Sequence, residues 1–163
     1  MSSKLLYDQE LCNKLKFACH GYENLISIEE LFNEVITNFY DGISEKEIEL
    51  AIIMTIKAKI EIEPIYSKIA SKLLLDMIYK EVLEVKFSYE NIEILNREYF
   101  KQYIKNGVSV GKLDTFMLNY DLEILSQAIQ LQRDDQFFYL GLQTLYDRYF
   151  IHSNNKRFEL PQA

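Results

Sequence analysis

The chain has 163 residues, 48% of them hydrophobic and 26% charged, which is ordinary for a globular protein and long enough for one good core or two small ones. Its 18 Lys+Arg against 25 Asp+Glu leave a formal charge of −7, which disfavours a broad nucleic-acid or anionic-membrane surface. The apolar runs, such as Leu73-Leu74-Leu75, are far shorter than the roughly 20 residues of a membrane span, and no hydrophobic signal segment follows the first residues.

In chain order, Asp8 is placed to cap a first helix over Gln9 to His20, with Leu11, Leu15 and Ala18 or Cys19 on one stripe and Gly21 as its stop. Cys12 and Cys19 fall seven apart on that helix, about 10 Å between Cα atoms, too far for a disulfide. They read as buried thiols of a reducing cytoplasm, without partners for a zinc site. Ser27-Ile28-Glu29-Glu30 has capping-box spacing and opens a second helix whose inward residues are Leu31, Val35, Ile36 and Phe39. Tyr40-Asp41-Gly42 is a turn, and Ser44-Glu45-Lys46-Glu47 repeats the box at the start of a third helix reaching Lys59.

Pro64 suits the first turn of a fourth helix, to Leu83, whose wide apolar surface predicts the most buried of the four. Glu84 to Tyr89 reads as a connection. A fifth helix over Asn91 to Lys105 is expected to stop at Asn106-Gly107. Short helical pieces follow at Leu113 to Leu118 and Leu122 to Ile129, the second capped by Asp121.

The richest stretch is Gln132 to Tyr149, QRDDQFFYLGLQTLYDRY. A helix is expected from Asp135 or Gln136, carrying Phe137, Phe138, Leu140, Leu142 and Leu145 and framed by Tyr139 and Tyr149. Gly141 inside it costs roughly 1 kcal/mol relative to alanine, which predicts something packed against its bare backbone. Phe150 to Glu159, with Asn154-Asn155 between two partly alternating halves, reads as a β-hairpin.

No catalytic or metal constellation is visible. His20 and His152 stand apart from any Ser, Cys or carboxylate partner and read as structural or surface residues. Asp134-Asp135 reads as a helix-start cap before a metal site, and Arg133 as the partner of an acid across the fold. The 12 tyrosines read as core and rim residues with a polar tip.

The ordered set Arg133-Asp134, Tyr139-Leu140-Gly141-Leu142-Gln143-Thr144-Leu145, Tyr149 and Pro161-Gln162 resembles the start of the catalytic portion of the large (alpha) subunit of class I ribonucleotide reductases. Residues 8 to 83, through Phe39-Tyr40-Asp41-Gly42-Ile43 before a capped helix and Ile69-Ala70 to Lys80 in the closing helix, resemble the helical part of an ATP-cone, a domain that binds ATP or dATP and switches activity. The resemblance implies a mainly α fold. A four-helix ATP-cone-like unit lacking its N-terminal β-hairpin (1–86) would precede a second helical group with a short C-terminal β-hairpin (87–163), the helical start of the catalytic domain.

The departures from the family are specific. A complete cone begins with a basic hairpin that covers the nucleotide, and the seven residues Met1 to Tyr7 cannot form two strands and a turn. Where the family often carries a lysine and a threonine, this chain has Glu10 and Glu45, whose carboxylates repel a triphosphate and also read as first-turn acids. Lys80 is the one nucleotide-binding position retained, in a place that equally suits a solvated lysine late in a helix. ATP or dATP binding is therefore disfavoured and no cofactor is expected. The reactive cysteines of the family lie further along, and Cys12 and Cys19 do not match them, so no catalytic residue is expected in this segment.

The resemblance thus implies a regulatory or structural region of a ribonucleoside-diphosphate reductase large subunit, read as a fragment. Its partners would be the remainder of the alpha subunit and a radical-generating beta subunit, with thioredoxin or glutaredoxin serving the whole enzyme. A homo-oligomer is compatible with it; nucleic acid and membrane are not expected, and the location implied is cytoplasmic. The rival reading is a free-standing helical interaction module derived from such an N-terminus. The nucleotide-sensing repressor that shares the cone fits poorly, because its four-cysteine zinc ribbon has no counterpart here.

Overall fold

The computed structural model describes residues 2–84, 91–153 and 156–163, with backbone alone for 2–8. The connection predicted over 84–89, beyond Glu84, and the Asn154-Asn155 turn lie outside the described residues. The fold is mainly helical, with a short antiparallel hairpin near its C-terminal end.

Helix α1 spans Ser2–Cys19 and α2 spans Ile28–Ile36; α3 covers Glu45–Lys57 and α4 covers Ile65–Leu83. Two left-handed glycines, Gly21 (φ 88°) and Gly42 (φ 87°), turn the chain after α1 and before α3, a conformation L side chains rarely adopt. The Ser44 box is complete. Its Oγ accepts from the Glu47 backbone N at 3.3 Å, and the Glu47 carboxylate accepts from the Ser44 backbone N at 2.8 Å. At α2, Ser27 Oγ accepts from the Glu30 backbone N at 3.2 Å.

Helix α5 spans Ile92–Ser109 and is followed by a 3₁₀ turn, Thr115–Asn119. Helix α6 (Leu122–Gln127) is capped by Asp121, which accepts from the Glu123 and Ile124 backbone N at 3.0 and 3.1 Å. A second 3₁₀ turn covers Leu131–Gln136, α7 covers Tyr139–Thr144, and a π-helical turn covers Leu145–Tyr149. Strands β1 (His152–Ser153) and β2 (Lys156–Arg157) pair His152 with Arg157 and Ser153 with Lys156.

The chain forms two compact units. The first holds residues up to Leu74 together with Phe138–Leu140; α1 packs on α2 and α2 on α3 around Leu15, Leu31, Val35, Ile52, Ile56 and Ile69. The second holds Leu75–Phe137 and Gly141–Ala163, where α5 packs on α6 and the first 3₁₀ turn. Its core joins Phe100, Tyr103, Ile104 and Ile129, flanked by Leu113, Met117 and Phe158. Each fully buried Leu or Ile contributes roughly 1.5–3 kcal/mol, so these stripes set the helix faces. As predicted, α4 is the deeply placed helix: none of its residues is exposed.

Several expectations are corrected. Position 8 lies inside α1 and not at its start, because nothing in Ser2–Gln9 breaks a helix. Glu10 is therefore mid-helix and no first-turn acid; Glu45, the first residue of α3, is one. Ile36 faces outward at 37% exposure. Helix α5 continues through Asn106-Gly107: a Cβ on Gly107 would come 2.5 Å from Leu113 Cδ1, so that glycine serves close approach, and the left-handed residue is Gly111 (φ 68°). The single helix expected from Asp135 is a 3₁₀ turn, an extended Phe137, a short α-helix and a π turn. Nothing lies within 4 Å of a Cβ built on Gly141, so the packing predicted there is absent.

Candidate functional sites

Two arrangements bear on function, one in each unit. In the first unit, α1 and α3 face each other across a small cleft lined by Glu10, Lys14, Phe39, Glu45, Ile48 and Ile52. Its volume is about 20 Å³, room for a single water molecule. Lys14, the cation of the cleft, is held by Glu49 at 2.8 Å. Two further carboxylates, Glu10 and Glu45, line the same walls.

The second unit is organised around Asp134, which is 2% exposed. The 3₁₀ turn carries it inward, where Tyr79 Oη donates to Oδ2 and Gln162 Nε2 donates to Oδ1 at 2.8 Å. The Gln162 amide also clasps the backbone of Gln130, donating to its O at 2.7 Å and accepting from its N at 3.1 Å. Burial raises the Asp134 carboxyl above its ordinary value, against the two donors, which lower it. One carboxylate thus joins α4, the 3₁₀ turn and the Pro161-Gln162 element.

Two more carboxylates repeat the pattern. Glu81 accepts from Tyr146 Oη at 2.5 Å and from the Arg157 backbone N at 3.3 Å. The Arg157 guanidinium lies 3.7 Å from the Tyr146 ring centroid, and its Nε donates to the Tyr146 carbonyl at 2.5 Å. Burial pushes the Tyr146 hydroxyl up to about 12. Glu159 accepts from Tyr103 Oη at 3.1 Å and from the Ile151 backbone N at 2.5 Å. Each tyrosine keeps its proton and spends it on a carboxylate, which is tethering chemistry.

The sequence-selected residues scatter. Asp134 is a buried acceptor instead of a helix-start cap. Arg133 is exposed and forms no salt bridge among the described residues. Tyr139 is buried in the first unit, its N donating to Ser67 Oγ at 3.2 Å, with the Lys57 amine 5.6 Å from its ring centroid. Gly141 and Tyr149 are exposed and Thr144 is half-buried. Lys80 lies in the second unit and pairs with Asp76 at 2.8 Å. Sequence reasoning missed Tyr79, Glu81 and Tyr146; the available signal was a phenol on the buried stripe of α4, whose hydroxyl requires a partner.

Fold and sites together define a mainly helical protein of two compact units, the second braced by tyrosine–carboxylate and amide contacts around the buried Asp134. No family model matches the chain. Over 162 residues it is 41% identical to ribonucleoside-diphosphate reductase subunit alpha of Chlamydia muridarum, covering 99% of this chain and 15% of that protein. The subunit alpha of Helicobacter pylori is 36% identical over 152 residues, covering 90% of this chain and 18% of that one. The large subunit of Plasmodium falciparum is 24% identical over 168 residues. The chain is thus homologous to ribonucleoside-diphosphate reductase alpha subunits and matches the N-terminal region of a large subunit, spanning about 15% of the length of the first of these relatives. No described helix is long and apolar enough to cross a membrane.

Proposed function

We propose that this chain serves as an N-terminal structural or regulatory region of a ribonucleoside-diphosphate reductase large subunit, working in deoxyribonucleotide synthesis without itself carrying the reactive cysteines. The observation that carries the reading is the collinear match over 99% of the chain at 41% identity. Its partners in this reading are the remainder of an alpha subunit and a radical-generating beta subunit, in the cytoplasm. A chimera tests it: this chain replaces the matching segment of the Chlamydia muridarum subunit, and nucleotide reduction is assayed with the beta subunit. Retained reduction is expected; a folded chimera without activity would overturn the assignment.

Within that reading the cone-like half binds ATP and dATP weakly or not at all. Support comes from the cleft between α1 and α3: about 20 Å³ cannot admit a triphosphate, its lysine is already paired, and Glu10 and Glu45 add like charge. Titration calorimetry of the chain with dATP is expected to give no saturable heat. A micromolar or tighter constant would refute weak binding and leave the reductase assignment standing.

A further inference from the structure

A second feature of the first unit is independent of any nucleotide. The outer face of α3 carries Ala51, Met54 and Ala58 in one stripe that continues to Ile62, and together with Thr37 and Asn38 it forms an open groove of about 700 Å³. Met54 is 58% exposed and Ile62 is 78% exposed, a large apolar exposure for two neighbours in one groove. The polar wall is already satisfied: Thr37 Oγ1 donates to the Glu34 carbonyl at 2.6 Å, and Asn38 Nδ2 donates to Thr55 Oγ1 at 3.1 Å. The groove therefore offers shape and apolar contact more than hydrogen bonds, and Met54 gives it an adaptable floor. The small side chains of Ala51 and Ala58 leave depth on either side of Met54, the relief that receives a ridge of larger side chains.

Charge sets which kind of partner suits it. Residues 28–63, which include every residue lining the groove, hold nine carboxylates against three lysines; Glu45 and Glu49 belong to the α1 cleft and Glu47 to the Ser44 cap, while the exposed Glu61 and Glu63 flank Ile62 at the groove. Lys59, at the groove's edge, is neutralised by Glu34 at 2.6 Å. An apolar slot set in so acidic a segment repels nucleic acid and phosphate ligands and attracts a cationic partner within about a Debye length, 8–10 Å. We propose that the α2–α3 groove is a docking site for a basic amphipathic helix of a protein partner, its apolar face laid along Met54 and Ile62 and its lysines or arginines meeting Glu61 and Glu63 beside Ile62.

The test uses the full chain, isotope-labelled, titrated by NMR with three peptides of about 18 residues (five helical turns). These are an amphipathic Leu/Lys helix, its Leu/Glu counterpart, and a Leu/Lys scramble without an apolar face. Expected are saturable shifts confined to α2, α3 and residues 58–62 with the first peptide alone, weakened by added salt. Met54→Ala and Ile62→Ala should each weaken that binding by about tenfold, the loss typical of an interface anchor. Both side chains are exposed, and an unchanged circular dichroism melt checks that the variants fold. No saturable binding, equal binding of the Glu peptide or of the scramble, shifts elsewhere, or indifference to both substitutions would overturn the proposal. Peptide-independent shifts that grow with protein concentration would overturn it in favour of a second copy of the chain.

Discussion

Tyr79 Oη donates to Asp134 Oδ2, a hydrogen bond between residues 55 apart in the chain that no periodicity announces. It places a carboxylate of the second 3₁₀ turn against the inner face of α4, with Gln162 completing the shell at 2.8 Å. Deleting the phenol leaves a buried acceptor short of a donor. Tyr79→Phe is therefore expected to lower stability by about 1–3 kcal/mol in urea denaturation. A loss within error would mean that the bond contributes nothing.

The same carboxyl gives a pH dependence of defined sign. Burial raises the folded-state value of Asp134 above its ordinary 3.8, so the native state holds the proton more tightly than the unfolded one. This contribution is full below 3.8 and disappears as pH rises through the folded value. Asp134→Asn cannot titrate. Urea denaturation of both proteins from pH 3.5 upward should show the natural chain losing ground to the variant as pH rises, and parallel curves would refute the shift.

Glu47 behaves oppositely. Its hydrogen bonds from the Ser44 side chain, the Ser44 backbone and the Tyr40 hydroxyl hold its carboxyl down, to about 2. A lowered value gives stability present above the ordinary 4.5 and lost as pH falls toward about 2. Ser44→Ala should remove most of that acid sensitivity and, as the loss of a helix N-cap, weaken the fold by roughly 0.5–2 kcal/mol at neutral pH. An acid-unfolding midpoint identical to that of the natural chain would count against the box.

Gly107 and Gly141 should respond in opposite directions to alanine. At Gly107 the new methyl would come 2.5 and 2.7 Å from Leu113 Cδ1 and Cγ, so overpacking of about 1–3 kcal/mol outweighs the helix-propensity gain of about 1. At Gly141 nothing lies within 4 Å, and Gly141→Ala is expected to raise stability by roughly 0.5–1 kcal/mol. Thermal melts of the two variants decide it, and shifts of the same sign would contradict the geometry.

The two thiols should separate by reactivity. Cys19 is fully buried, and desolvation pushes its thiol up to about 11, whereas Cys12 is half-buried. With a chromogenic disulfide reagent near pH 8, one thiol per chain should react in the native state and the second only on unfolding. Two fast equivalents would show that Cys19 is reached through local opening.

What the amino-acid sequence determined by itself was the placement of α2 to α4 and the cap of α6. Ser27, Ser44, Gly42, Pro64 and Asp121 act through neighbours three or four residues away, and the apolar stripes of α2 to α4 follow the helical period, so local chemistry sufficed. Ordered motifs such as Tyr40-Asp41-Gly42 and Pro161-Gln162 likewise survive in linear form, which is why the reductase kinship is legible in the sequence. Tertiary structure alone decided the rest. The sequence shows that Gly107 and Gly141 are glycines in helical surroundings, but only the position of Leu113 separates a site of close approach from an open one. It shows Asp134, Tyr79 and Gln162 as three unrelated polar residues; which of them meet depends on segments brought together from far apart in the chain. Hydrogen bonds of that kind carry no period, so the buried hub of this protein was written in its packing and nowhere in its spacing.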